Sequence, residues 1–148
     1  MKVAILMGSP RDAEKMLGAS EMLERFNVPH EVHVMSAHRT PAQVAELATD
    51  ARANGYGVII CGAGMAAHLA GAVSAHTTLP VIGVPLSGGV SGGMDALLST
   101  VQMPRGIPVA TVAVDGSANA AVLAVEILSV SDAGLAERLA TFRDEGAR

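Results

Sequence analysis

The sequence predicts an α/β fold in which a parallel sheet is covered by helices on both faces. Short β-branched runs alternate with Ala-rich helical stretches from end to end, the pattern of repeated strand-helix-strand units. The strand segments are nearly continuous in apolar character, as strands buried on both faces are. The chain has 148 residues, without internal repeats or a low-complexity linker, and so has the length of a single domain.

Taken in order, the first strand is expected over Val3–Met7, followed by a helix over Asp12–Phe26. The second strand, Glu31–Met35, leads into a helix over Pro41–Asn54, with Thr40 and Pro41 as N-cap and first-turn residues and Asn54-Gly55 as its stop. A third strand at Val58–Cys61 precedes a helix over Ala66–Ala75, and a fourth at Val81–Val84 precedes one over Met94–Val101. The fifth strand, Val109–Val114, is followed by helices over Asn119–Leu128 and Ser131–Arg143, the last opened by Ser131-Asp132. The Gly-rich segment from Ser87 to Gly93 is the one long loop expected to be mobile.

Composition narrows the classes of function. Hydrophobic residues make up 50% of the chain and charged residues 16%, against about 25% charged in an ordinary soluble domain. Part of this apolar excess is expected to face other subunits. No Asp, Glu, Lys or Arg occurs between Arg52 and Asp95. Gly, Pro, His, Ser and Thr nevertheless interrupt that stretch, and its longest clean apolar run, Gly57–Ala67, is shorter than the roughly 18 residues a membrane span needs. A net charge of −4, no Trp, one Tyr and two Phe provide neither a basic stripe nor stacking platforms, so nucleic acid is not an expected partner. The chain enters a strand pattern at once and carries a single Cys, which points to a cytoplasmic location.

In a sheet of this kind ligands bind where strands lead into helices at their carboxyl ends. After the first strand, Met7-Gly8-Ser9-Pro10-Arg11-Asp12 turns into a helix whose first amides are unpaired and partly positive. Ser9 and Asp12 read either as phosphate and ribose ligands or as a turn with a helix cap. The turn lacks the glycine spacing of a dinucleotide fingerprint and the Lys of a P-loop. After the second strand, Ser36-Ala37-His38-Arg39-Thr40-Pro41 sets an imidazole beside a guanidinium at a helix start. Arg suits phosphate and His moves protons near neutral pH, although a loop His is also commonly only solvated.

After the third strand, Gly62-Ala63-Gly64 lets a ligand or helix approach the backbone and delivers His68, as a binding or a packing residue. Cys61 lacks a nearby base and reads as core. After the fourth strand the Ser87–Gly93 segment is either a cover for the site or a long connection. His30, His33 and His76 show no metal-ligand spacing with another His, Cys or carboxylate, so no metal is assigned, and the eight Met residues read as core filling.

Met7-Gly8-Ser9, the Ser36–Pro41 loop, Gly62-Ala63-Gly64 with Ala66-Ala67-His68-Leu69, Gly83-Val84-Pro85 and Val101-Gln102-Met103-Pro104-Arg105-Gly106-Ile107-Pro108 resemble the class I N5-carboxyaminoimidazole ribonucleotide mutases of bacterial purine synthesis over nearly the whole chain. The resemblance implies a flavodoxin-like three-layer, doubly wound parallel sheet, assembled as a homo-octamer with sites at subunit contacts. It implies a small ribonucleotide substrate and no ATP, metal or organic cofactor. By the family pattern Ser9, Asp12 and Arg39 hold the ribose phosphate, with Ser36 in the same loop as the proton-handling His38, while Gly62, Ala63, Gly64 and His68 line the aminoimidazole pocket. The chain departs from that pattern at Arg11, where Ser is usual, at Met65, where Gly is usual, and at Ala70, where Pro is usual. The class II relatives, which carboxylate aminoimidazole ribonucleotide directly, the carboxylase module of nickel-cofactor synthesis and a non-catalytic nucleotide-binding module are the competing readings.

Overall fold

A computed structural model describes residues 1–147. Its sheet has five parallel strands in the order β2-β1-β3-β4-β5: β1 (Lys2–Met7), β2 (His30–Val34), β3 (Tyr56–Gly64), β4 (Val81–Leu86) and β5 (Ala110–Thr111). Six α-helices complete it: α1 (Ala13–Arg25), α2 (Pro41–Asp50), α3 (Leu69–His76), α4 (Met94–Val101), α5 (Ser117–Ser129) and α6 (Ala133–Asp144). Among the described residues no helix is long and apolar enough to cross a membrane.

Alternation along the central strands sorts the side chains between two cores. Val3, Ile5, Val58, Ile60, Ile82 and Val84 face α1, α5 and α6, packing with Met16, Leu23, Val125 and Phe142. Ala4, Leu6, Ile59, Cys61 and Val81 face the other way, against Val44 and Ala48 of α2 and Leu69 and Val73 of α3. α4 joins this second face: a Cβ on Gly83 of β4 would lie 2.3 Å from Thr100 and 3.4 Å from Ala70. Each large aliphatic side chain buried this way contributes about 1.5–3 kcal/mol. The result is three layers, with every strand's carboxyl end opening onto one edge.

Two strands depart from the sequence reading. β2 is an edge strand, not one buried on both faces, and Val32 and Val34 stay half exposed because no helix among the described residues packs over them there. The fifth strand keeps only Ala110 and Thr111 in the ladder, where six residues are expected from the sequence. Beyond them the Val112 and Asp115 amides still donate to the Gly83 and Pro85 carbonyls of β4, but Asp115, at φ 57°, and a turn in which the Gly116 N–H donates to the Ala113 carbonyl end the regular ladder. The third helix also starts later than expected, at Leu69, since Met65 to His68 form tight turns with the Ala67 and His68 amides donating to the Met65 and Ala66 carbonyls. Asp132 caps α6 as expected, accepting from the Leu135 N–H at 2.9 Å.

Candidate active site

The loops that follow β1, β2, β3 and β4 enclose a cavity of about 490 Å³ at the carboxyl edge of the sheet. From β1, Gly8 and Ser9 enter a short 3-10 turn over Pro10–Asp12 that leads into α1. Ser9 Oγ accepts from the Arg11 N–H, so Ser9 builds the turn while lining the cavity. Asp12, the residue before α1, makes no capping hydrogen bond with its side chain. Its side chain lines the cavity without capping the helix. Burial raises the Asp12 carboxyl above its ordinary pKa, opposed by the charges of Lys15 and Arg39 and by the Ser9 amide.

From β2, Ser36 folds the next loop. Its Oγ accepts from the amides of His38 and Arg39, both at 3.3 Å, while the Ser36 amide donates to Thr40 Oγ1 at 2.9 Å. Thr40 therefore closes the loop in place of capping α2, where it makes no side-chain bond. The loop turns Arg39 back across the first one, so that Nη2 donates to the Gly8 carbonyl at 2.6 Å. With one donor spent, the rest of the guanidinium fork is left for an anion.

From β3, the turns after Met65 bring His68 to His38. His38 Nε2 and His68 Nδ1 lie 2.6 Å apart, with the rings 74° from coplanar. A bond of that kind needs one nitrogen to donate and the other to accept. Both rings are exposed on the cavity wall, beside Arg39 and Asp12.

The cavity wall contains eight of the nine residues expected from the sequence: Ser9, Asp12, Ser36, His38, Arg39, Ala63, Gly64 and His68. Gly62 does not line it. It is buried in β3, where a Cβ would meet the Met16 sulfur at 2.3 Å, so its missing side chain makes room for α1. The structure adds Arg11, Met65, Ser87 and Gly88 to the wall. Met65 holds a φ of 55°, a conformation that costs a side-chain-bearing residue about 1–2 kcal/mol. Its place where a family pattern has Gly was the visible signal. Cys61 stays in the core as read, fully buried, and burial pushes its thiol pKa far up.

Residues 2–148 match the AIR carboxylase family. The chain belongs to that family. It is 51% identical over 147 residues to an N5-carboxyaminoimidazole ribonucleotide mutase of Pyrococcus abyssi, covering 99% of this chain and 84% of the relative. It is 52% identical over 144 residues to the enzyme of that name from Escherichia coli, covering 96% and 85%. Among solved structures, PurE of Treponema denticola superposes with a TM-score of 0.89 at 29% identity, over 98% of this chain and 90% of that one. The three-layer fold is thus that of the family, flavodoxin-like, and the loops carrying the resemblance are those that enclose the cavity.

Proposed function

We propose that this chain is an N5-carboxyaminoimidazole ribonucleotide mutase, an isomerase of purine synthesis that moves a carboxylate from the exocyclic nitrogen to a ring carbon. The observation that carries the reading is the His38–His68 pair on the wall of a cavity that also presents Arg39 and Asp12. Near-full-length relatives of that name, at about half identity, support it.

In this reading Ser9, Arg39 and the first loop anchor the ribose phosphate, and the Asp12 carboxylate, which caps no helix, accepts from a ribose hydroxyl. The aminoimidazole lies along Ala63 and Gly64, beneath the histidines. Protonated His38 gives its proton to the exocyclic nitrogen as the nitrogen–carboxylate bond breaks, with the bonding pair staying on nitrogen. This leaves aminoimidazole ribonucleotide and carbon dioxide. The ring carbon then attacks the trapped carbon dioxide, a carbon–carbon bond forms, and the proton that carbon loses returns to His38. One imidazole acts as acid and then as base, and charge, atoms and protons balance without a cofactor.

Self-association, as an octamer, belongs to the same proposal. Met94, Leu98 and Val101 form one exposed apolar face of α4, and Val32 and Val34 another on β2, in line with the apolar excess of the chain. A cytoplasmic location fits the substrate class.

One observation favours a second reading. The family's own name is that of a carboxylase, and a chloroplastic phosphoribosylaminoimidazole carboxylase of Vigna aconitifolia is 50% identical over 143 residues, although this chain corresponds to only 26% of it. Supplying each substrate to the purified protein separates them. The mutase converts the N-carboxylated nucleotide without added bicarbonate. Activity on aminoimidazole ribonucleotide that requires bicarbonate, with none on the N-carboxylated form, refutes the proposal.

A further inference from the structure

The fourth wall of the cavity is held by a residue outside the loops described so far. Lys15 lies in the first turn of α1, and its Nζ reaches the segment after β4, donating to the Ser87 carbonyl at 2.5 Å and to Ser87 Oγ at 2.9 Å. From the other side the Ser87 amide donates to Asp115 Oδ1 at 2.9 Å. Ser87 is thus gripped by a cation and an anion belonging to two different connections. Lys15 is itself fixed, because the Ser117 hydroxyl donates to its carbonyl at 2.7 Å and ties α1 to the start of α5.

Without this grip little holds the segment in one shape. Gly88, Gly92 and Gly93 have positive φ values of 112°, 70° and 106°, and Ser91 sits at 49°. Asp95 fastens the middle, accepting from the Val90 N–H at 3.1 Å. The first two residues, Ser87 and Gly88, are the ones on the cavity wall, and among the described residues the Lys15 and Asp115 bonds fix Ser87 there through its own polar groups. Glycine-rich backbone of this kind costs more entropy to order than any other, so the attachment decides how much of that cost a ligand must meet on binding.

We propose that Lys15 is a positioning residue for the nucleotide. It straps the Ser87–Gly88 wall against the cavity before substrate arrives, and so sets affinity without touching the reacting atoms. The inference rests on the mutase reading for its kinetic readout, but not for its structural one. Asp115 shares the task, and its carboxyl is held below the ordinary range by the Ser87 hydrogen bonds and the Lys15 charge, against the opposing effect of burial.

The test compares wild type with Lys15→Met, Lys15→Gln and Lys15→Arg as full-length protein. The strap predicts that KM for the nucleotide rises roughly tenfold in the Met and Gln variants, through loss of the charge-assisted grip on Ser87, while kcat stays within about twofold. The Arg variant, which still carries a donor fork, recovers most of the affinity. Amide hydrogen exchange of residues 88–92 without ligand accelerates in the Met and Gln variants and not in the Arg variant. An unchanged KM, or a fall in kcat at constant KM, overturns the proposal, as does unchanged exchange. Should wild type show no turnover, the mutase reading fails by itself and the exchange result still decides the strap.

Discussion

The two edges of the sheet carry similar polar residues and use them in opposite ways. At the amino edge, beside a cavity of about 510 Å³, Lys2 Nζ meets Glu31 Oε1 at 2.5 Å and lies 4.4 Å from the centre of the Tyr56 ring. Tyr56 donates to the same Glu31 carboxylate, and His33 Nε2 lies 3.2 Å from the Tyr56 hydroxyl. Each group satisfies another, and the tyrosine is pushed up to about 12 by burial and by the carboxylate beside it. At the carboxyl edge the groups point into the cavity instead. Asp12 makes no cap, Arg39 spends one donor on backbone, and two histidines share a single contact.

Backbone strain follows the same division. Of the five non-glycine residues with positive φ among the described residues, Met65, Ser91 and Asp115 lie in carboxyl-edge loops, whereas Asn27, before β2, is a residue type that tolerates that conformation, and Ala147 follows the end of α6. A histidine next to a carboxylate or a hollow is therefore a weak sign of function. Polar groups gathered on the wall of one cavity, in loops that also hold strained backbone, are a stronger one.

This contrast breaks if the carboxyl-edge histidine proves dispensable, and the largest effect is expected there. His38→Asn should lower turnover by roughly two to four orders of magnitude with an unchanged melting curve. His33→Asn, at the other edge, should leave kcat and KM as in wild type. Steady-state kinetics beside a thermal melt checks both, and equal losses in the two variants would erase the distinction.

Arg39→Met comes next. Losing hydrogen bonds from a charged group to a phosphate should raise KM about ten- to a hundredfold, with a smaller change in kcat. The comparison sharpens if a phosphate-free substrate analogue shows no such difference between variant and wild type.

A change in the reverse direction tests the strain. Met65→Gly should stabilise the protein by about 1 kcal/mol, a rise in melting temperature of about 2–4 °C for a chain this size. A fall in melting temperature would show that the Met65 side chain makes compensating contacts.

The smallest effect belongs to the amino edge. Hydrogen bonds from Lys2 and Tyr56 hold the Glu31 carboxyl below its ordinary value of 4.5, so the folded state favours its ionised form. That stabilisation is fully present above pH 4.5 and is lost as the pH falls through the lower folded value. Glu31→Gln should therefore melt lower than wild type near neutrality, and the gap should close in acid while kcat at neutral pH stays unchanged. A gap that widens in acid would contradict the assignment.

The central strands and the His38 and Arg39 loop were legible because their signals are local: continuous apolar runs, a turn, a proline at a helix start. The edges were not. Exposure of Val32 and the shortness of β5 depend on which strand lies outermost, and strand order is a property of the whole chain. In the site, Gly62 and Gly64 look alike in sequence and share a face of β3, but Met16 of α1 packs over Gly62, while Gly64, at the strand's carboxyl end, lies clear of that side chain and lines the cavity. Lys15 was hidden for a different reason: its partners Ser87 and Asp115 lie 72 and 100 positions away, and nothing in its neighbourhood marks it.

The central claim is that loops after four strands hold a nucleotide so that His38 reaches the carbon gaining the carboxylate. A crystal structure with bound 4-carboxy-5-aminoimidazole ribonucleotide tests it most directly. The expected result puts a ring nitrogen of His38 within about 3.5 Å of that carbon or its carboxylate, with the phosphate against Ser9 and Arg39. An aminoimidazole ring bound away from both histidines, with His38 turned to solvent in every subunit, would contradict it.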